Sequence, residues 1–118
     1  MKYLLLIYGK EMDMPDTKTP ADAYKMAAPY AAYTEALQKA GVLLGGSRLR
    51  PTSDATTVRV QGGKAQVLNG PYAETKEQLG GYYMIEVPDL DAALSWAARC
   101  PGATTGTMEV RPIWPMTA

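Results

Sequence analysis

The run Tyr3–Tyr8 constrains this chain more than any other. At the two-residue period of a strand, Tyr3, Leu5 and Ile7 fall on one face and Leu4, Leu6 and Tyr8 on the other. A strand that is apolar on one side can leave the other in water, but a strand that is apolar on both must be covered on both. The fold therefore has to place this strand inside a sheet with a layer on each side.

A second run of the same kind, Gly81–Val87, sets Tyr82 and Met84 against Tyr83, Ile85 and Val87. Helices and further strands lie around these two. Thr19 can cap a helix with Pro20 in its first turn. Met26, Tyr30, Tyr33, Leu37 and Ala40 form its apolar stripe, and Gly41 ends it in a left-handed cap. Pro29 lies inside that pattern and should kink the helix or split it. Val42–Arg50 reads as a strand in which Gly45 and Gly46 mark a bulge or a close approach of backbone. Thr56–Gln61 and Lys64–Leu68 read as a hairpin turned by Gly62–Gly63. Asp89 caps a second helix through about Arg99, with Leu90, Ala93, Leu94, Ala97 and Ala98 as its core face. Thr105–Ile113 is the last strand, with Met108, Val110 and Pro112 opposite Thr107, Glu109 and Arg111.

The order is β-α-β-β-α-β with an inserted hairpin, an α+β pattern in a single domain spanning residues 1–118. Two helices can cover only one face of such a sheet. The other face of the two-sided strands needs a partner, and the simplest is a second copy, giving a homodimer through the sheet face.

Composition narrows the function. The formal net charge is zero and there is no basic cluster, so neither nucleic acid nor an anionic membrane is an expected partner. No run reaches transmembrane length, and the first strand lacks the features of a signal peptide. The single cysteine, Cys100, fits a reducing compartment, a cytoplasmic setting and a buried packing role. The chain has no histidine. That excludes Ser–His–Asp or Cys–His chemistry built within the chain and removes the commonest ligand for zinc or iron. No cofactor or metal is expected on these grounds.

One connection concentrates polar chemistry: Asn69–Gly70–Pro71–Tyr72–Ala73–Glu74–Thr75–Lys76–Glu77–Gln78–Leu79–Gly80–Gly81–Tyr82–Tyr83. Through this run the chain resembles the YCII-related proteins, in the branch named for its Asp-Gly-Pro-Phe motif, which typically reads D-G-P-F-A-E-T-K-E-Q-L-G-G-Y-Y. Agreement is unbroken from Ala73 to Tyr83 and extends to Lys2–Tyr8, Ala40–Val42, Thr56–Val60 and Glu109–Ile113. The resemblance implies a ferredoxin-like fold in the dimeric α/β-barrel superfamily, which hosts both enzymes and ligand-binding regulators. Asn69 stands where the branch has Asp, and Tyr72 where it has Phe. The His–Asp pair proposed as catalytic in the wider family cannot transfer to a chain without histidine.

The residues themselves leave alternatives. Asn69–Tyr72 has turn chemistry, for which Asn and Asp are nearly interchangeable, whereas a carboxylate catalyst would be lost. Glu74 and Glu77 could work as an acid–base pair, form half of an oxygen-rich metal site, or sit in a solvated turn. Candidate ligand-binding residues are Asn69, Tyr72, Thr75, Lys76, Tyr82, Arg48, Arg59 and Arg111; Arg50 reads as surface ion pairing, and Arg111 pairs naturally with Glu109. Two readings remain. One is a non-catalytic small-molecule-binding or accessory and regulatory dimer, which the missing histidine and Asn69 favour. The other is a small-molecule enzyme, lyase- or isomerase-like, using Glu74 and Glu77.

Overall fold

A computed structural model of the chain describes residues 1–11, 20–73 and 75–115, the side chains of 20–27 excepted. The elements in order are β1 (Lys2–Gly9), α1 (Pro20–Lys39), β2 (Leu43–Arg48), β3 (Thr56–Gln61), β4 (Lys64–Asn69), β5 (Gln78–Glu86), α2 (Leu90–Arg99), a single turn α3 (Gly102–Thr105) and β6 (Thr107–Pro112). The protein is mixed α+β. Four strands form an antiparallel sheet in the order β2-β5-β1-β6, and β3 and β4 form a separate two-stranded sheet.

The two runs that are apolar on both faces are the two interior strands, β1 and β5. Tyr3 and Leu5 of β1 and Ile85 of β5 are buried against Tyr33 and Leu37 of α1, Ala93 and Ala97 of α2, and Cys100 just beyond it. On the opposite face, register places Leu4 beside Met84, Leu6 beside Tyr82 and Tyr8 beside Leu79. None of these six residues belongs to the helix-side core.

Local chemistry sets the element ends. At the end of α1 the Val42 amide donates to the Leu37 carbonyl at 3.2 Å and the Gly41 amide to the Gln38 carbonyl at 3.0 Å, a Schellman motif. Of the kink or split expected at Pro29, the split does not occur: α1 runs through it. Asp89 caps α2 by accepting from the Ala92 amide at 2.9 Å. The core face of α2 differs from expectation. Ala93 and Ala97 are buried with Ala92 and Trp96 packed beside them, whereas Leu90, Leu94 and Ala98 are exposed. Small residues let α2 lie close to the sheet, and Trp96 reaches sideways to meet Tyr33 edge-on, their rings 6.3 Å apart.

The hairpin turns at Gly62–Gly63, both at positive φ, as the two-residue turn that suits the twist of flanking strands requires. Bulges interrupt both pairings of β5. Leu44 is the extra residue between Leu43↔Ile85 and Gly45↔Met84, beside the expected glycines. Gly80 is the extra residue between Ile7↔Gly81 and Tyr8↔Leu79. β5 thus starts earlier than its apolar pattern suggests, taking in Gln78–Gly80. β6 starts later, because α3 occupies Gly102–Thr105. Gly106 joins the two where a Cβ would lie 2.0 Å from the Tyr8 carbonyl oxygen, so only glycine lets the chain pass there.

Candidate functional site

Three strand ends and one loop meet at the edge of the open sheet face. Tyr8, next to last in β1, lies opposite Thr107 of β6, and Glu109 stands two residues further along β6 on the same face, opposite Leu6. The segment before β5 folds over this corner. Together Tyr8, Thr75, Lys76, Glu77, Thr107 and Glu109 line an open concavity of about 360 Å³.

Polar side chains fix the loop. The Thr107 hydroxyl donates to Glu77 Oε1 at 2.6 Å, tying the loop to β6. The Thr75 hydroxyl donates to the Glu77 carbonyl, and Gln78 Nε2 donates to the Thr75 carbonyl at 2.6 Å. These short-range bonds replace the helical turn that Glu77 and its neighbours could have formed, and residues 75–77 are not helical. Beside them Glu109 Oε2 lies 3.0 Å from Arg111 Nη2. That oxygen is buried yet makes no hydrogen bond, so the pair is a charge contact without hydrogen-bond alignment. The corner therefore carries two carboxylates, one ammonium and a phenol, with Arg111 adjoining.

Of the residues singled out from sequence, the fold brings Thr75, Lys76 and Glu77 together here. Glu74 lies outside the described residues. Asn69 is not in the turn but is the last residue of β4, paired with Thr56. The turn is instead held by the Gly70 amide donating to Ala55 O at 2.7 Å and by the Thr57 hydroxyl donating to Gly70 O at 2.8 Å. Tyr72 is exposed. Tyr82 sits mid-sheet on the open face, beside Leu6 and Ser47. Arg48 ends β2 near the Tyr30 hydroxyl, and Arg59 is exposed on the hairpin. Arg50 forms the expected exposed ion pair, with Asp54 at 3.0 Å.

Tyr8, Thr107 and Glu109 were not picked out by sequence as site residues. They lie a hundred residues apart, and only pairing of β1 with β6 joins them. The signal was the phase of β6: Thr107 and Glu109 alternate against Met108 and Val110 and so share the open face with Tyr8.

A second polar cluster lies under the helices and is structural. The Tyr33 hydroxyl donates to the Trp96 carbonyl at 2.7 Å, and the Tyr83 hydroxyl and Thr34 Oγ1 are 2.8 Å apart. Burial pushes the Tyr30 hydroxyl up to about 12 and also raises Tyr33 and Tyr83. Burial likewise raises the Cys100 thiol, so little thiolate forms near neutrality and Cys100 is no nucleophile. Among the described residues no group of three or more His, Cys, Asp or Glu side chains is arranged to hold a metal ion. No helix there is long and apolar enough to cross a membrane.

Fold and site together define a small α+β protein with one helix-covered sheet face and, opposite it, a half-buried face that no described helix covers and that bears a polar corner. The chain belongs to the YCII-related domain family, which matches residues 1–117. It is 36% identical over 115 residues to an uncharacterized protein of Rhizobium meliloti (strain 1021), covering 96% of this chain and 92% of that relative.

Proposed function

We propose that this YCII-related protein is a non-catalytic dimer that binds a small molecule at the polar corner of its open sheet face, in an accessory or regulatory role. The observation that carries the reading is the concavity lined by Tyr8, Thr75, Lys76, Glu77, Thr107 and Glu109, with its loop already braced by the Thr107–Glu77 bond. A braced loop with charges of both signs suits recognition of a polar molecule, because little ordering remains to be done on binding. An enzyme using Glu74 and Glu77 is the second reading. It is the weaker, because the chain has no histidine and one Glu77 oxygen is engaged by Thr107.

The finer fold assignment belongs to the same proposal. The strand order β2-β5-β1-β6, with β1–α1–β2 and β5–α2–β6 interleaved, supports a ferredoxin-like sheet. The six apolar side chains of the open face support a dimer that closes two sheets into a barrel. The Ala73–Tyr83 run supports the Asp-Gly-Pro-Phe branch, and the single cysteine supports a cytoplasmic setting.

The test is a thermal-shift screen of wild type, Glu77→Gln and Thr107→Val against small polar metabolites. The expected result is a compound that raises the wild-type midpoint and loses its effect in Glu77→Gln. A compound that shifts both proteins equally places binding elsewhere, and turnover of any compound by wild type but not Glu77→Gln restores the enzyme reading.

A further inference from the structure

Asn69 is the only asparagine in the chain, and a glycine follows it. That neighbour bears on its chemical stability. An asparagine amide is lost when the main-chain nitrogen of the next residue attacks its Cγ, and a side chain on that residue crowds the approach. Gly70 has none. It also stands at φ 106°, a conformation that favours glycine, so the fold itself retains the least hindered neighbour that Asn69 could have.

The structure opposes that attack at the open end of the β3–β4 hairpin. The Gly70 amide donates to the Ala55 carbonyl at 2.7 Å, so the attacking nitrogen is held with its proton in a hydrogen bond. Asn69 is the last residue of β4 and pairs with Thr56, and its main chain must leave that extended pairing before the Gly70 nitrogen can close on Cγ. The Thr57 hydroxyl adds a further tie by donating to the Gly70 carbonyl at 2.8 Å. All of these restraints are local. β3 and β4 form a sheet of two strands. Every residue of β4 is exposed, Asn69 included, as is every residue of β3 except Thr57. A ribbon with so little burial opens at low cost and from its ends, and water reaches Asn69 when it does.

We propose that Asn69 is a self-modification site, a slow deamidation whose rate is gated by opening of the hairpin end. With the Gly70–Ala55 bond broken, the Gly70 nitrogen gives up its proton to base and bonds to Asn69 Cγ. The bond from Cγ to Nδ2 breaks, and Nδ2 takes up a proton and leaves as ammonia. A five-membered imide remains, which water opens at either carbonyl. Breaking the nitrogen's bond to Cγ leaves aspartate on an unaltered main chain. Breaking its bond to the main-chain carbonyl carbon leaves isoaspartate, with one more methylene in the main chain. One water is consumed, one ammonia is released, and nothing is oxidised or reduced. Either product adds a negative charge to a chain whose formal net charge is zero. Isoaspartate also lengthens β4 where it pairs with Thr56. An ageing molecule thus acquires a carboxylate at the root of the segment that runs to Thr75–Glu77.

The experiment follows the intact mass of the full chain during warm incubation at fixed, slightly alkaline pH. Wild type, Thr57→Val and Asn69→Gln are compared in native buffer and in guanidinium chloride, which removes the gate. Wild type should gain the mass of one amide-to-acid conversion, located on Asn69 by peptide mapping. The gain should be roughly 10-fold or more slower in native buffer than in denaturant, because at least two hydrogen bonds must open. Thr57→Val should recover roughly 2–10-fold of that difference in native buffer. Hydrogen exchange at the Gly70 amide, measured on wild type, keeps the test independent of how the variant folds. Since that amide must be released first, deamidation should be slowed at least as much as exchange is. A native rate equal to the denatured one overturns the gate, as does a Thr57→Val rate equal to that of wild type, or exchange slowed more than deamidation. No gain in native wild type over roughly 100 denatured half-lives overturns the site. An equal gain in Asn69→Gln overturns its assignment to Asn69.

Discussion

The Tyr33 hydroxyl donates to the main-chain carbonyl of Trp96, 2.7 Å away and 63 positions along the chain. Trp96 lies in the last turn of α2, where carbonyls have no partner within the helix. One phenol thus finishes a helix while its ring packs edge-on against both Tyr83, at 5.3 Å, and Trp96. Tyr33→Phe keeps the ring and removes the donor. It should lower unfolding free energy by about 1–3 kcal/mol in urea denaturation, the cost of a buried acceptor left unpaired. A loss within error would mean that water replaces the phenol.

The buried tyrosines set an alkaline limit on stability. Tyr30 is raised from 10.0 to about 12, and Tyr33 and Tyr83 are raised in the same direction, all chiefly by burial. Above pH 10 the unfolded chain loses these protons while the native state keeps them, so the unfolded state binds fewer and stability falls. The contribution is complete below about pH 10 and is lost as pH rises through the raised native values, about 12 for Tyr30. The raised Cys100 thiol, normally at 9.0, starts the decline earlier. Urea midpoints should be flat from neutrality to about pH 8.5 as far as these groups are concerned and fall beyond about pH 9. Tyr30→Phe/Tyr83→Phe should flatten the upper part of that fall.

Leu37 is fully buried where α1 meets the sheet. Leu37→Ala should cost about 2–5 kcal/mol, from lost burial and the cavity it leaves. Leu94→Ala, on an exposed position of α2, should change stability by no more than about 0.5 kcal/mol. Equal effects from the two substitutions, measured by urea denaturation, would reverse the assignment of which helix face is core.

Thr107→Val removes the hydroxyl that holds Glu77 while keeping the side chain's shape. The pair is exposed, so global stability should change by less than about 1 kcal/mol. The local effect should be larger: faster amide exchange and proteolysis at residues 75–78, with β1 and β5 protected as before. Unchanged exchange there would mean that the Thr75 and Gln78 bonds suffice to hold the loop.

Sequence periodicity was a sound guide wherever packing is decided by alternation. Tyr3–Tyr8 and Gly81–Val87 announced the interior strands because apolar residues on both faces can be stable only there. Asp89, Gly41 and Gly62–Gly63 marked ends and turns because their chemistry is local. Leu90 and Leu94 misled, since helical period alone does not tell which stripe faces inward when alanines permit a closer approach. The polar corner was half legible. Thr75, Lys76 and Glu77 share a segment, but Tyr8, Thr107 and Glu109 join them only through a pairing between chain ends, which no local pattern encodes. Asn69 was read as a turn residue, and the ladder extends one residue further to include it.

The extra residue at Gly80 gives the diagnostic run a fixed length as well as a fixed composition. Ahead of it Leu79 shares Tyr8's side of the sheet; behind it Gly81 takes Ile7's side. Deleting one glycine would put the two halves of the run out of step: either the loop slips by one residue from Thr107, or every side chain from Tyr82 to Glu86 changes sides. Substitution can be absorbed on either side of the glycine pair, but a change of length cannot. Spacing between Glu77 and Tyr82 should therefore tolerate less variation than the identity of the residues between them.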